Sequence, residues 1–219
     1  MTDRNGYQPE TNESNNVLVL PIQLVATDLV VSAASATAAA ATIGDAIGVS
    51  WTVRNQGSTE APADWFDYVV LSSNTALDSG DAVVASEFIS AQTPLASGAT
   101  YSIDREVTIP NVPAGARYLL FVADRTNIQG ETNEANNVFA VPLEVRAADL
   151  VVGDLTVEPV TLSSGRNVTV RWMDVNAGNG ATRFSWYDRV QVRNLTTGQT
   201  LRDDYVYYDR NANGDIDAG

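Results

Sequence analysis

The chain has 219 residues, a formal net charge of −14, and neither cysteine nor histidine. An acidic surface repels phosphate backbones, which excludes nucleic acid as a partner. Without Cys or His there is no disulfide framework, no thiolate nucleophile and no imidazole base or metal ligand. Hydrophobic residues make up 44% of the sequence, enough for ordinary cores. No apolar run reaches the roughly 18 residues that span a bilayer, so we expect no membrane insertion in this segment.

Short segments rich in Val, Ile, Tyr, Phe and Trp follow one another, with turn-forming Gly, Pro, Asn and Asp between them. The alternation of Val49, Trp51 and Val53 places these three side chains on one face of a strand. The alanine-rich run 33–41 contains Ser and Thr and has no amphipathic stripe, so we interpret it as an irregular connection. Strands are predicted at Val17–Leu24, Asp28–Ser32, Ile47–Asn55, Trp65–Ser72, Ala82–Ile89, Thr100–Ile109, Tyr118–Asp124 and Val138–Val145. This density of short strands predicts an all-β fold, an antiparallel β-sandwich.

One stretch of sequence occurs twice, at residues 3–31 and 124–152, with 16 of 29 positions identical in a gapless alignment. The offset of 121 residues (124 − 3) is too long for a solenoid unit of about 20–50 residues and suits a whole domain. We therefore predict tandem repeats with hardly a linker between them, which form a semi-rigid string. The predicted domains are a C-terminal strand remnant of a preceding repeat (1–25), a complete domain (26–146) and the N-terminal part of a following repeat (147–219).

Several motifs recur in a fixed order and carry a family resemblance. They are Val49-Ser-Trp-Thr-Val-Arg-Asn-Gln-Gly, Trp65-Phe-Asp-Tyr-Val-Val-Leu-Ser, Leu77-Asp-Ser-Gly-Asp and Glu131-Thr-Asn-Glu-Ala-Asn-Asn. The chain resembles the CARDB family, the cell-adhesion-related domains of bacteria, across all of 28–145 and most of both flanks. The resemblance implies an immunoglobulin-like β-sandwich in large, multi-repeat surface or secreted proteins, and it implies no particular ligand.

The C-terminal run from Asp209 to Asp217 matches the calcium loop of EF-hands at its first nine positions. Oxygen-bearing side chains at every second position converge on one hard cation, and Gly214 permits the sharp turn. The predicted Ca²⁺ ligands are Asp209, Asn211, Asn213, Asp215 and Asp217, with Asp215 contributing its backbone carbonyl. The acid expected at position 12 would be residue 220. The alternative is a hairpin turn rich in Asn, Asp and Gly.

The same loop can be sought in the middle repeat. Aligning Asp217-Ala-Gly with Asp78-Ser-Gly gives an offset of 139, which exceeds 121 by 18 and implies an insertion of 18 residues before the C-terminal loop. The aligned loop, which begins at Val70, lacks the first acid, so the calcium motif is expected to be specific to the third repeat.

A second candidate metal site lies in the repeated Glu-Thr-Asn-Glu-x-Asn-Asn run. Asp124, Glu131, Asn133 and Glu134 could hold Ca²⁺ through carboxylate and amide oxygens beside a domain boundary. The alternative, which we favour, is that these side chains cap backbone groups in a tight loop. The four tryptophans are expected in cores, with a sugar-binding platform at Trp65-Phe66 as the alternative.

No sequence motif for catalysis is present: the chain has no nucleophile elbow, no phosphate-binding loop and no zinc-protease helix. We expect a non-enzymatic structural or adhesion module of a bacterial cell-surface or secreted protein, with a calcium-binding loop. Its partners would be neighbouring repeats of the same chain and a cell-surface or matrix ligand. The alternative is an accessory or spacer domain, carbohydrate-associated, of a secreted hydrolase.

Overall fold

The structure is a computed structural model that describes residues 1–23, 25–131, 133–161, 163 and 165–219, without the side chain of Glu13. The described residues form an all-β protein whose helices are one 3₁₀ turn (Glu13–Asn15) and one short helix, α1 (Arg210–Asn213). The strands are β1 (Leu29–Ala36), β2 (Ala40–Thr42), β3 (Ala46–Asn55), β4 (Trp65–Ser72), β5 (Ala82–Ile89), β6 (Thr100–Thr108), β7 (Gly115–Val122), β8 (Val138–Arg146), β9 (Leu150–Glu158), β10 (Thr169–Asn176), β11 (Trp186–Arg193) and β12 (Thr200–Tyr208).

The middle segment, defined as residues 26–146, contains two sheets that share one hydrophobic core. The three-stranded sheet has the order β1-β3-β6, and the five-stranded sheet has the order β2-β8-β7-β4-β5. All pairings are antiparallel except that of β2 with β8. Trp51 of β3, Trp65 of β4 and Phe121 of β7 are among the largest fully buried side chains of this core. The all-β fold and the core position of these tryptophans are thus confirmed.

The strand pattern predicts the faces correctly. Val49, Trp51 and Val53 all belong to the shared core, while the side chains between them are only half-buried. On β7 the alternation separates two clusters, because Leu119 belongs to the shared core and Leu120 to a smaller cluster on the other face of the sheet. A period of two therefore decides which side chains reach the core.

Two predictions about local structure are wrong. The run 33–41 is not an irregular connection, because its first four residues extend β1 past a bulge and pair with β3, and Ala40 begins β2. Small side chains allow this close pairing although alanine has little strand propensity. The strand predicted at Val17–Leu24 is absent over residues 17–23, and Leu24 lies outside the described residues. Its counterpart β8 is held between β7 and β2, whereas residues 17–23 pair with no strand.

The C-terminal segment, defined as residues 147–219, consists of two hairpins, β9–β10 and β11–β12. Its apolar side chains are much more exposed than their counterparts in the middle segment. Leu150 is 39% exposed where Leu29 is fully buried, and Val152 is 67% exposed where Val31 is 3% exposed. The described part of this segment therefore has strands and hairpins like those of the middle segment, without an equally closed core.

The insertion of 18 residues inferred from the sequence is wrong. The Ile216 carbonyl accepts hydrogen bonds from the backbone of Thr182 and the side chain of Asn176, as the Leu95 carbonyl does from Ala61 and Asn55. Each of these pairs keeps the offset of 121. The C-terminal loop therefore corresponds to the loop after β5, at residues 90–95, because a short β11–β12 turn is balanced by a longer loop after β12.

Candidate functional site

A buried carboxylate organises the centre of the middle segment. Asp67 is fully buried and accepts hydrogen bonds from the indole N–H groups of Trp51 (2.9 Å) and Trp65 (3.0 Å) and from the hydroxyl of Tyr101 (2.6 Å). The backbone N–H of Asp124 donates a fourth, at 3.3 Å. Burial raises the pKa of Asp67 and these donors oppose the rise. The sequence shows Trp and Asp at matched positions of both repeats, but only the structure shows that they bond.

The C-terminal segment rebuilds part of this arrangement. Trp172 donates to Asp188 at 3.1 Å, as Trp51 does to Asp67, but Trp186 donates to Asp174 at 3.3 Å. Partial burial and the charge of Asp188 raise the pKa of Asp174. Two carboxylates here each accept one of the two tryptophan N–H groups that a single carboxylate receives in the middle segment.

The candidate calcium loop is closed by its own side chains. Asp209 caps the N-terminus of α1 by accepting from the backbone N–H of Asn211 at 3.0 Å, and the Asn213 amide donates to the Asp209 carbonyl at 2.9 Å. Gly214 has φ of 85°, the positive value that the motif requires. Ile216 is half-buried, as expected for the anchoring position, and Asp217 is exposed. Asp209 and Asn213 therefore lie together at one end of the loop.

Asp215, at position 7 of that loop, belongs to an ion-pair chain. Its carboxylate accepts from Arg183 at 2.6 Å and from Arg210, and Arg183 also donates to Asp45 of the middle segment at 2.5 Å. The hydrogen bond from Arg210 lowers the pKa of Asp215, with a smaller contribution from Arg183. For Asp45, burial raises the pKa, but the bonds from Arg183 and Thr42 outweigh burial and lower it. Arg183 thus joins the two segments.

The contact between the segments, which we call the junction, is also tightly packed. A Cβ atom placed on Gly44 would lie 2.9 Å from the ring of Phe184, and one placed on Gly180 would lie 2.8 Å from a methyl carbon of Thr42. Glycine therefore permits close approach on both sides of the junction.

In the second candidate metal site, backbone N–H groups already donate to most of the side-chain oxygens that would bind a metal. Asp124 is 1% exposed, and its two carboxylate oxygens accept from the N–H groups of Ile128 (3.0 Å) and Gln129 (2.7 Å). Asn133 accepts from the N–H of Ala135 at 3.0 Å. Glu134 is exposed. These contacts are the loop-capping arrangement that was favoured as the alternative.

Glu131 connects this loop to the first strand of the segment. One carboxylate oxygen accepts from the N–H of Leu29 at 2.6 Å, and the other accepts from the Asn137 amide at 3.0 Å. Burial, assisted by the nearby charges of Glu134 and Asp124, raises the pKa of Glu131 to about 7. The charged form of this carboxylate is therefore destabilised in the folded chain.

The neighbouring amides carry a feature that sequence analysis missed. Asn136 donates to the Asp28 carboxylate at 2.9 Å, as Asn137 does to that of Glu131. The side-chain oxygens of both asparagines are buried and have no hydrogen-bond partner. Within the described residues, no three acidic side chains converge as a metal site made of carboxylates would require, so any cation here would also use amide oxygens.

Comparison with known proteins identifies the middle segment. The family model for CARDB matches residues 26–141, more than half of the chain. The chain belongs to the CARDB family. The expected resemblance is confirmed over a range that begins at the boundary of the middle segment and ends within β8. No curated protein matches the chain.

Among solved structures, the CARDB domain of the PF1109 protein from Pyrococcus furiosus, determined in complex with di-metal ions, is 16% identical with a TM-score of 0.41. That match covers 57% of this chain and 97% of the domain. A β-glucosidase from Erythrobacter marinus is 15% identical with a TM-score of 0.36, and one from Listeria innocua is 15% identical with a TM-score of 0.34. The matches cover 54% of this chain in both cases, but only 15% and 16% of the two enzymes.

The CARDB match contains some of the candidate groups and not others. Asp45, Asp67, Glu131 and the two asparagines lie within it, whereas the calcium-type loop lies in the C-terminal segment, outside it. Within the described residues, no helix is long and apolar enough to cross a membrane.

Proposed function

We propose that this chain is a non-catalytic structural and adhesion module of a large bacterial cell-surface or secreted protein, built from immunoglobulin-like β-sandwiches in tandem. Its work is to hold successive domains at a fixed spacing and angle. The observation that carries the proposal is Arg183, which pairs with Asp45 of one segment and Asp215 of the other.

The junction has the properties that a semi-rigid spacer needs. Hardly any linker separates β8, which ends at Arg146, from β9, which begins at Leu150. A short linker limits the swing between domains, and the rigid guanidinium of Arg183, which bonds one carboxylate through Nε and another through a terminal nitrogen, fixes orientation better than a flexible ammonium does. Because Gly44 and Gly180 have no side chain, the two segments approach until Phe184 packs against Gly44 and Thr42 packs against Gly180. Both the covalent and the packing constraints therefore favour one inter-domain angle.

The C-terminal loop is proposed to bind Ca²⁺ through Asp209, Asn211, Asn213 and Asp217, with the backbone carbonyl of Asp215 as a further ligand. Because that ligand is a carbonyl, the Asp215 carboxylate stays with Arg183 and Arg210. Calcium would then fix the loop that supports one end of the junction.

The second candidate function is an accessory module of a secreted hydrolase that contacts carbohydrate. It is favoured by a cross-strand aromatic pair on the exposed face of each segment. Phe66 and Phe88 have ring centroids 4.8 Å apart, and Tyr187 and Tyr207 repeat the pair at 4.7 Å. Exposed aromatic rings can stack on sugars, although Trp65 itself is fully buried and takes no part. A hydrolase domain in the same reading frame would favour this function over adhesion.

The spacer function is tested by replacing Arg183→Ala and measuring small-angle X-ray scattering. We expect the variant to show a broader distribution of inter-domain distances than the wild type, because the only described ion pair linking the two segments is lost. The fold itself should remain, since partly exposed ion pairs contribute about 1 kcal/mol or less to stability.

The matched control is Arg189→Ala, which breaks an ion pair with Asp203 inside the β11–β12 hairpin. It should leave the scattering profile unchanged. A wild-type profile that already requires many orientations, or identical profiles for the two variants, would refute the spacer.

A further inference from the structure

The run 17–23 has the side chains of a core-facing strand, but it pairs with no described strand. Leu20 and Ile22 are 74% and 83% exposed. At the repeat offset of 121 their counterparts are Val141 and Leu143 of β8, which pack against the shared core or belong to it. A contiguous set of exposed apolar side chains marks an interaction surface.

The C-terminal segment has an apolar groove between its two hairpins, with a volume of about 480 Å³. Its lining includes Val152, Val170, Trp172, Val190 and Val192. At the repeat offset, all five correspond to residues of the shared core of the middle segment, namely Val31, Val49, Trp51, Val69 and Leu71. The groove is therefore the counterpart of a core that, in the middle segment, β7 and β8 help to close.

The strand β11 also has a free edge within the described residues. It pairs with β12 alone, whereas its counterpart β4 pairs with both β5 and β7. A free edge presents unpaired backbone N–H and C=O groups, with which an added strand can form hydrogen bonds. The run 17–23 has the length of a strand, and Pro21, which has no N–H, suits the outermost position of a sheet.

We propose that the run 17–23 of a second copy of this chain adds to the free edge of β11 and places Leu18, Leu20 and Ile22 in the groove. This occupant is favoured because its sequence counterpart, β8, already packs against the matching core in the middle segment. The contact joins the N-terminal run of one copy to the C-terminal segment of the next, so it links copies head to tail. It goes beyond the spacer function and depends on neither Arg183 nor the calcium-type loop.

A second copy is required because the run is too far from the groove of its own chain. The Ala26 carbonyl accepts from the N–H of Ser58 at 3.1 Å, which ties the run to the C-terminal end of β3. The C-terminal segment contacts the middle segment at Gly44, before the other end of β3, and the 10 residues of this strand span about 30 Å. Ile22 lies four residues before Ala26, a distance of at most about 14 Å along the chain.

The test measures the molar mass of the full chain by multi-angle light scattering over a range of concentrations. The wild type should form dimers and larger species as the concentration rises. Leu20→Asp should weaken this association roughly tenfold or more, because an aspartate replaces a leucine that is buried in the groove. Leu20 is exposed and unpaired within one copy, so the fold of that copy should not change.

The matched control is Val19→Asp, which makes the same change of charge on the opposite face of the run. Val19 is 78% exposed, as Leu20 is 74% exposed, so the two substitutions start from similar surroundings within one copy. Val19→Asp should weaken the association much less than Leu20→Asp does, because its side chain points away from the groove.

A groove variant, Val152→Asp, tests the direction of the contact. Val152 is 67% exposed, so the chain should still fold, which circular dichroism checks. Where the wild type associates, Leu20→Asp and Val152→Asp should each be monomeric. Their equimolar mixture should form a dimer, because one intact groove and one intact run remain.

A peptide of residues 15–25 keeps the proposal falsifiable if Val152→Asp does not fold. In excess, it should convert the wild type to monomers, whereas the same peptide with Leu20→Asp should not. The proposal would be overturned by a wild type that stays monomeric at every concentration, by equal effects of Leu20→Asp and Val19→Asp, or by a mixture of folded variants that stays monomeric.

Discussion

Glu131, in the loop before β8, makes two hydrogen bonds with a carboxylate whose charged form is destabilised by burial. Its two oxygens hold the first N–H of β1 and the amide of Asn137, so the side chain joins the two ends of the middle segment. Burial outweighs these bonds and raises its pKa to about 7. The two hydrogen bonds favour the charged carboxylate, but desolvation penalises it more strongly.

This shift predicts a pH dependence with a definite sign. Between the unfolded pKa of 4.5 and the folded value of about 7, the folded chain binds more protons at Glu131 than the unfolded chain. The stability that this group contributes is present below pH 4.5 and is lost as the pH rises through about 7. Glu131→Gln, measured in chelator by thermal unfolding, should therefore raise the Tm more at pH 8 than at pH 5.

Two comparisons isolate the effect. Glu106→Gln makes the same change of charge at an exposed position of β6, away from Glu131, and should change the Tm similarly at both pH values. The lowered pKa values of Asp45 and Asp215 act only below their unfolded value of 3.8, outside this window. A Glu131→Gln effect that does not depend on pH would contradict the assignment.

At the scale of the element, an Asn-x-Gly turn follows β3 and fixes how the chain enters β1. Asn55 accepts from the N–H groups of Asp28 and Gly57, and its amide donates to the carbonyls of Thr59 and Leu95. After β10, Asn176 makes the matching four bonds in the C-terminal segment. One buried amide thus joins the strand, its turn and the start of the segment.

The glycine of this turn has no room for a side chain. A Cβ atom on Gly57 would lie 2.5 Å from the Ala26 carbonyl oxygen and 2.6 Å from the Asp28 nitrogen, both backbone atoms. Gly57→Ala should reduce the free energy of unfolding by about 1–3 kcal/mol in a denaturant titration. Gly130→Ala is the matched control, because no heavy atom lies within 4 Å of the added carbon. Equal losses for the two variants would show that the close approach is unimportant.

At the scale of the whole molecule, the calcium-type loop and the junction share a residue. Asp215 is position 7 of the loop and the partner of Arg183, which reaches Asp45 in the other segment. A loop ordered by an ion would hold the Asp215 carboxylate in place for Arg183. The loop can therefore influence the angle between the two segments through the ion pairs that Arg183 makes with Asp215 and Asp45.

Calcium is accordingly expected to narrow the distribution of inter-domain distances seen by small-angle scattering. Asp209→Ala should remove this response, because it removes the first proposed ligand of the loop and leaves Arg183, Asp45 and Asp215 in place. Calorimetry on the same samples separates a loop that fails to bind calcium from a loop that binds calcium without changing the inter-domain distances. Binding without a change in scattering would mean that the loop and the junction are uncoupled.

Much of the fold follows from local pattern. The bounds of β4 and β5 match the prediction residue for residue, because alternation and flanking turn residues are both strong there. The apolar run 17–23 also indicates a strand but forms none, because a ladder needs a neighbour. The loop 209–217 was found by its motif, but its place relative to the middle segment was wrong because Asp-x-Gly turns recur by composition alone.

The sequence by itself determined the all-β class, the alternating faces, the repeat offset of 121 and the positions of the oxygen-rich loops. Each of these depends either on residues close together in the chain or on direct comparison of its two halves. Tertiary structure alone decided which groups meet. Asp67 receives donors from two strands besides its own and from the turn after β7. Arg183 pairs with Asp45 across 138 residues, and the amides at 136 and 137 meet carboxylates from both ends of the segment. Contacts between such distant residues depend on how the sheets pack, which no local pattern records.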